Sequence, residues 1–231
     1  MSSTQHPRKS QLPVRASLLS QFEFVILISC AFRPHDGKQL TAPIITHALE
    51  EGYGLSNTLA NILVVGGVAL LGQLGPFGLN DLARHNRIEH NASIVHDDAQ
   101  GRDEYAPIAP NPALIQQFME QSKDGQFMTV EDIARARVWR ESGCPVLSAM
   151  QAEIARGEMA IAFGLFSQAT DDQRGIPVDM LRVWLSEERL PDGWKPTHTQ
   201  GFIETFRTSR EINSDMKKFE AESKDAPSDK E

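Results

Sequence analysis

LSNTLANILVVGGVALLG, residues 55–72, carries no charged side chain and puts apolar residues on nearly every face of a helix. Ser56 stands where an N-cap belongs, with a side-chain oxygen able to accept from the first free backbone N–H groups. A helix that is apolar all round is a buried one. The run is shorter than the roughly 20 apolar residues that a membrane span needs. It therefore predicts a core helix, and the rest of the chain is read from that core.

Upstream, PHDGKQ (residues 34–39) is a turn, Thr41 an N-cap and Pro43 an early helical position, with a helix over 42–51 closed by Gly52 and Gly54. Downstream, LGPFG (74–78) is a turn and GLNDLARHNRIEH a short helix. Residues 97–112 are loop, rich in Pro and charge, and Pro112 opens a helix over 113–122. Thr129 and Asp132 form a capping-box variant for a helix to about Ser142. Further helices span 149–166, 178–187 and 202–220, with TDDQRGIP (170–177) as a turn. No stretch alternates with period two. The fold class is all-α, a single domain of about eight helices.

Composition narrows the function. The chain has 231 residues, 40% of them hydrophobic and 23% charged, ordinary for a globular domain with a real core. A formal net charge of -8 argues against a nucleic-acid binder, which requires a basic stripe. The two cysteines, Cys30 and Cys144, make neither a disulfide framework nor a zinc motif. FVILISCAF (24–32) follows Arg8, Lys9 and Arg15 like a faint signal peptide, but begins late and lacks a small-x-small cleavage site. A cytoplasmic location is expected, with secretion as the alternative.

Three segments carry chemistry. RIEHNAS (87–93) sets Glu89, His90 and Asn91 beside Ser93, with His96 and Asp98 following. GEMAIAFGLF (157–166) places Glu158 in an otherwise apolar helix, where a carboxylate needs a partner. PHDGK (34–38) and VDMLRVWLSEERLPDGW (178–194) flank them. In order and spacing these segments resemble the fungal heme-thiolate peroxidases, the chloroperoxidase and unspecific peroxygenase family, over roughly residues 33–196.

The resemblance implies heme b, hydrogen peroxide and a small apolar organic substrate, with a place in fungal secondary metabolism. It makes Glu158 the acid–base group at the peroxide and His90 the imidazole that orients it. It makes Glu89 and Ser93 ligands of a Mg²⁺ or Mn²⁺ ion. Asn91 departs from the Asp usual there, and His96 from an Arg. Ile161, Phe163 and Phe166 are expected to line an apolar pocket, whereas Trp184 and Trp194 read as core. His85 and His198 fit no pattern and read as surface residues. By the same resemblance the chain divides into an atypical, partly disordered stretch over 1–32, a heme peroxidase-like domain over 33–200, and a charged helix and tail over 201–231.

One part of the pattern is missing. The family holds its iron with the Cys of a Pro-Cys-Pro motif, and a thiolate favours O–O cleavage. At the spacing that Pro34 sets stands Gln21, and in the alternative alignment on SQLPV (10–14) stands Leu12. Cys30 has no following Pro and is a substitute ligand only. Cys144-Pro145 lies elsewhere in the pattern and is expected to be an inert, half-buried thiol. Either residues 20–33 as written misrepresent the transcript or the ligand is lost. Two other functions therefore stand beside the peroxidase: a catalytically silent family member that binds a ligand or partner, and a non-heme acid–base enzyme of dehydratase or cyclase type. Oligomeric state is not legible.

Overall fold

The computed structural model describes residues 38–73 and 75–225; Cys30 and the rest of the first 37 residues, including the Pro34–Gly37 part of the turn, lie outside them. The described residues form eight helices: α1 (Ala42–Tyr53), α2 (Asn57–Leu71), α3 (Leu79–Leu82), α4 (Pro112–Met119), α5 (Val130–Ser142), α6 (Ala149–Phe166), α7 (Val178–Glu187) and α8 (Phe202–Asp225). The all-α expectation holds.

The helix ends follow their capping chemistry. Ser56 Oγ accepts from the backbone N–H of Leu59 at 3.3 Å. Thr129 and Asp132 cap each other's backbone at 3.2 and 3.0 Å. Gly54 ends α1 in the left-handed conformation, φ 69°, where a β-carbon is disfavoured. Thr41 occupies the N-cap position of α1 without a side-chain capping bond.

Three expectations need correction. Residues 83–90, read as the second part of a short helix, are irregular beyond the single turn of α3; Asn86 takes positive φ, which ends helical hydrogen bonding. The stretch 170–177 is more than a turn. β2 (Gln168–Ala169) and β3 (Arg174–Pro177) pair antiparallel there, and β1 (Phe127–Met128) joins β3 on its other edge. Strands of two to four residues are too short to show a period. Finally, α2 is not buried all round: Leu59, Ala60, Val64 and Leu71 face the core, while Ile62 and Val65 are 45% and 62% exposed.

The core centres on the second half of α6, where Met159 to Phe166 are all buried. Helix α8 packs along both α5 and α6, and α1 packs on α2. Gln200 ties these parts together. Its backbone N–H donates to Gly54 O and its carbonyl accepts from Ser56 N, both at 2.9 Å. Its side-chain Nε2 donates to Ala160 O at 3.3 Å and to Thr205 Oγ1 at 2.9 Å. One residue thus fixes where α2 begins, where α8 begins and how both meet the middle of α6.

Candidate active site

A cavity of about 310 Å³ opens between α2, α6 and α8. Helix α6 contributes Glu153, Ile154, Gly157, Glu158, Ile161, Ala162 and Leu165. This is a single stripe at the three- and four-residue spacing of one helix face. Gly66 and Gly67 of α2 form a wall without side chains, and Phe202 and Phe206 of α8 stand at the rim. Ile161 lies where the sequence expected it. Phe163 and Phe166 do not line the cavity, because they sit two and five residues on from Ile161 and project from other faces of α6. Phe163 lies under the Arg174 guanidinium at 5.3 Å. Phe166 packs between Trp184 and Trp194, with centroids 4.6 and 5.2 Å away. Trp184 also borders the cavity, and its indole N–H has no acceptor.

Glu158 is the reactive group on this wall. Its Oε2 lies 3.6 Å from Nε2 of His90, an ion-pair distance, and its Oε1 is buried with no hydrogen-bond partner. His90 is 1% exposed, and its Nδ1 donates to the carbonyl of Asn91 at 2.7 Å. With Nδ1 committed as a donor, Nε2 can face a carboxylate only with a proton between them. Burial, the largest influence on His90, disfavours its charge; the hydrogen bond and charge of Glu158 and the Asn91 carbonyl outweigh it, and the imidazole pKa is raised. The pair therefore sets an imidazole and a carboxylate against each other at the edge of an apolar cavity.

The neighbouring corner is built from buried polar groups. Glu89 is fully buried, and its Oε2 accepts from His85 Nδ1 at 2.5 Å. His85 is thus no surface residue, whereas His198 is exposed. Burial first, against the opposing pull of His85, raises the Glu89 carboxyl. Ser93 Oγ accepts from the N–H groups of Val95 and His96 at 3.2 and 3.1 Å. Glu89 Oε1 and Asn91 Oδ1 are buried acceptors with no donor. Among the described residues, no three His, Cys, Asp or Glu side chains gather as a ligand set. Burial lowers His96 to about 4, so it is neutral at pH 7.

Sequence reading missed Arg137 and Arg140 of α5. Both are buried against the 91–98 loop and donate to its carbonyls. No local signal in the sequence separates them from Arg135 and the other charged residues of α5.

Cys144 is half-buried. Its thiol donates to Asp98 Oδ2 at 3.0 Å and touches Arg140 Nη1. Burial, then the Asp98 bond, pushes it up to about 11. The thiolate is the nucleophile, so a rise from about 9 leaves about 100-fold less of it at pH 8. Alkylation by iodoacetamide at pH 8, followed by peptide mass mapping, is expected to label Cys144 about 100-fold more slowly than a free cysteine peptide.

The family implies a heme, and the cavity fits one in part. Its apolar walls and side-chain-free glycine face suit a flat apolar group, and Glu158 is the carboxylate on its wall, with one buried oxygen lacking a hydrogen-bond partner. An iron ligand is missing from this set: the described residues that line the cavity include no Cys, His or Met. Among curated proteins, none matches the chain. The family model described as "Peroxidase, family 2" matches residues 29–199, well over half of the sequence. The chain belongs to the chloroperoxidase-like family of peroxidases.

Proposed function

We propose that this protein is a heme-dependent peroxidase or peroxygenase that uses hydrogen peroxide to oxidise a small apolar organic molecule, such as an intermediate of fungal secondary metabolism. The observation that carries the reading is the Glu158–His90 pair, a carboxylate set against a buried imidazole on the wall of an apolar cavity. Family membership supports a peroxidase-like oxidoreductase in general.

Heme, when bound, supplies the redox chemistry that splits the O–O bond. The chain supplies the proton path. Glu158 takes a proton from one peroxide oxygen and returns it to the other, which leaves as water. His90 holds Glu158 at Oε2. Ile154, Ile161 and Leu165 exclude bulk water and favour an apolar substrate. Cys30, which lies outside the described residues, would supply the thiolate that holds the iron; the family match begins at residue 29 and so takes it in. Glu89 and Ser93 would hold a Mg²⁺ or Mn²⁺ ion, and the donorless Glu89 Oε1 and Asn91 Oδ1 support this. One carboxylate is enough for Mg²⁺, which keeps several waters.

The test is reconstitution of the full chain with hemin. A Soret band, a thiolate-type spectrum of the reduced carbon monoxide complex, and loss of that signature in Cys30→Ala are expected. Absence of any Soret band overturns the reading and favours a silent family member, the alternative raised by a described cavity wall without an iron ligand.

A further inference from the structure

We propose that Arg137 and Arg140 are positioning residues for His90, acting through the backbone of the 91–98 loop. This rests on the Glu158–His90 reading above, and no part of it concerns the iron or the divalent ion.

The Nδ1 side of the His90 ring donates to the carbonyl of Asn91. The direction of that carbonyl is set by the Asn91–Ala92 peptide. Ala92 is fully buried and has φ 65°, a left-handed conformation that a residue with a β-carbon does not adopt unaided. Something must hold it, and two groups do. The backbone N–H of Ala92 donates to Asp98 Oδ1 at 2.7 Å. The Ala92 carbonyl accepts from Arg137 Nη1, also at 2.7 Å, across 45 residues of sequence.

Arg140 secures the far side of the same loop. Its Nε donates to Ser93 O at 2.6 Å and its Nη2 to His96 O at 3.3 Å. It also clamps Asp98, the residue that caps Ala92, with bonds of 2.9 and 3.2 Å. Guanidinium is suited to this task, because its rigid fork serves several acceptors at once. The two arginines are 1% and 7% exposed, so their bonds are shielded from water. Glu141 fixes Arg137 in turn, accepting from Nε and Nη2 at 3.1 and 2.6 Å.

The chain of contacts runs from α5 to the loop backbone, to the Asn91 carbonyl, to the His90 ring, to Glu158. Without Arg137 the Ala92–Ser93 peptide loses its arginine, and the left-handed conformation of Ala92 rests on the Asp98 bond alone. The Asn91 carbonyl, the acceptor that fixes which His90 ring nitrogen meets Glu158, is then less firmly directed.

The experiment compares the full chain with Arg137→Lys, Arg137→Met, Arg140→Lys and Glu141→Gln. Arg135→Met, which removes an arginine of the same helix that bonds Glu131, Asp132 and the Gln121 carbonyl rather than the 91–98 loop, is the stability control. Two readouts are taken well below each melting temperature: the ¹⁵N-resolved ring Nδ1–H signal of His90, and kcat and KM of the hemin-loaded protein. The expected result is loss or broadening of the His90 ring signal in the Arg137 variants, and about a tenfold fall in kcat with KM within twofold. Glu141→Gln shows the same change in smaller measure, and Arg135→Met shows none. Folded Arg137→Lys and Glu141→Gln proteins that keep the His90 ring signal overturn the proposal. If Arg137→Met does not fold, those two milder variants decide it. The ring signal needs no heme, so it separates failure of this proposal from failure of the peroxidase reading.

Discussion

Glu158→Gln is expected to lower peroxide-driven turnover by about 10²- to 10⁴-fold, the range for loss of a positioned general acid–base group, with Soret absorbance per protein unchanged. Gln keeps the shape of Glu158 but cannot carry the proton between the peroxide oxygens. The substitution also reports on the pair. Burial opposes charge on His90, and Glu158 is the main group that overcomes it. With Gln at 158, the His90 pKa falls. The sign follows from linkage: a pKa raised in the folded state adds stability below the unfolded value, near 6.5, that is lost as pH rises through the folded value. Thermal melts between pH 8 and pH 5.5 are therefore expected to show a smaller gain on acidification for Glu158→Gln than for the parent. Turnover within threefold of the parent would remove Glu158 from the mechanism.

How much of this was legible depends on the range of the interaction. Ser56 and Thr129 act on backbone groups three residues away, so residue type and position declare them. The apolar content of α2 was equally plain, yet its exposure was not, because periodicity cannot say what a neighbour leaves uncovered. On α6 the stripe 154, 157, 158, 161, 165 was present as helical spacing. Choosing Phe163 and Phe166 followed chemical type and ignored the face on which they stand. The meeting of His90 with Glu158 came from family resemblance alone, since no local rule brings those segments together. Arg137 and Arg140 were invisible for the same reason: their partners lie more than 40 residues away, across the fold.

Gly164→Ala is expected to destabilise the protein by about 2 kcal/mol, and the same change in a Gln200→Ala background to stabilise it by about 1 kcal/mol. In isolation the substitution should help. Alanine is favoured over glycine inside a helix by about 1 kcal/mol. At this position an added β-carbon would lie inside the Gln200 amide. The far end of a glutamine can usually swing away, but Gln200 is 1% exposed and has no open space to enter. Moving it breaks the bonds from Nε2 to Ala160 O and Thr205 Oγ1, each worth about 1 kcal/mol. Overpacking adds a further roughly 1–3 kcal/mol, so the loss outweighs the propensity gain. Removing the Gln200 amide first removes the clash and leaves the propensity. Denaturant melts of both single variants and the double variant measure the coupling directly. The inversion of sign is the decisive feature, because general helix effects at Gly164 predict stabilisation in both backgrounds. It also bears on the site: Ala160, which Gln200 holds, lies two residues from Glu158 on the same turn of α6. A shift there moves the carboxylate against His90, so peroxide turnover in Gly164→Ala is expected to fall further than stability alone accounts for.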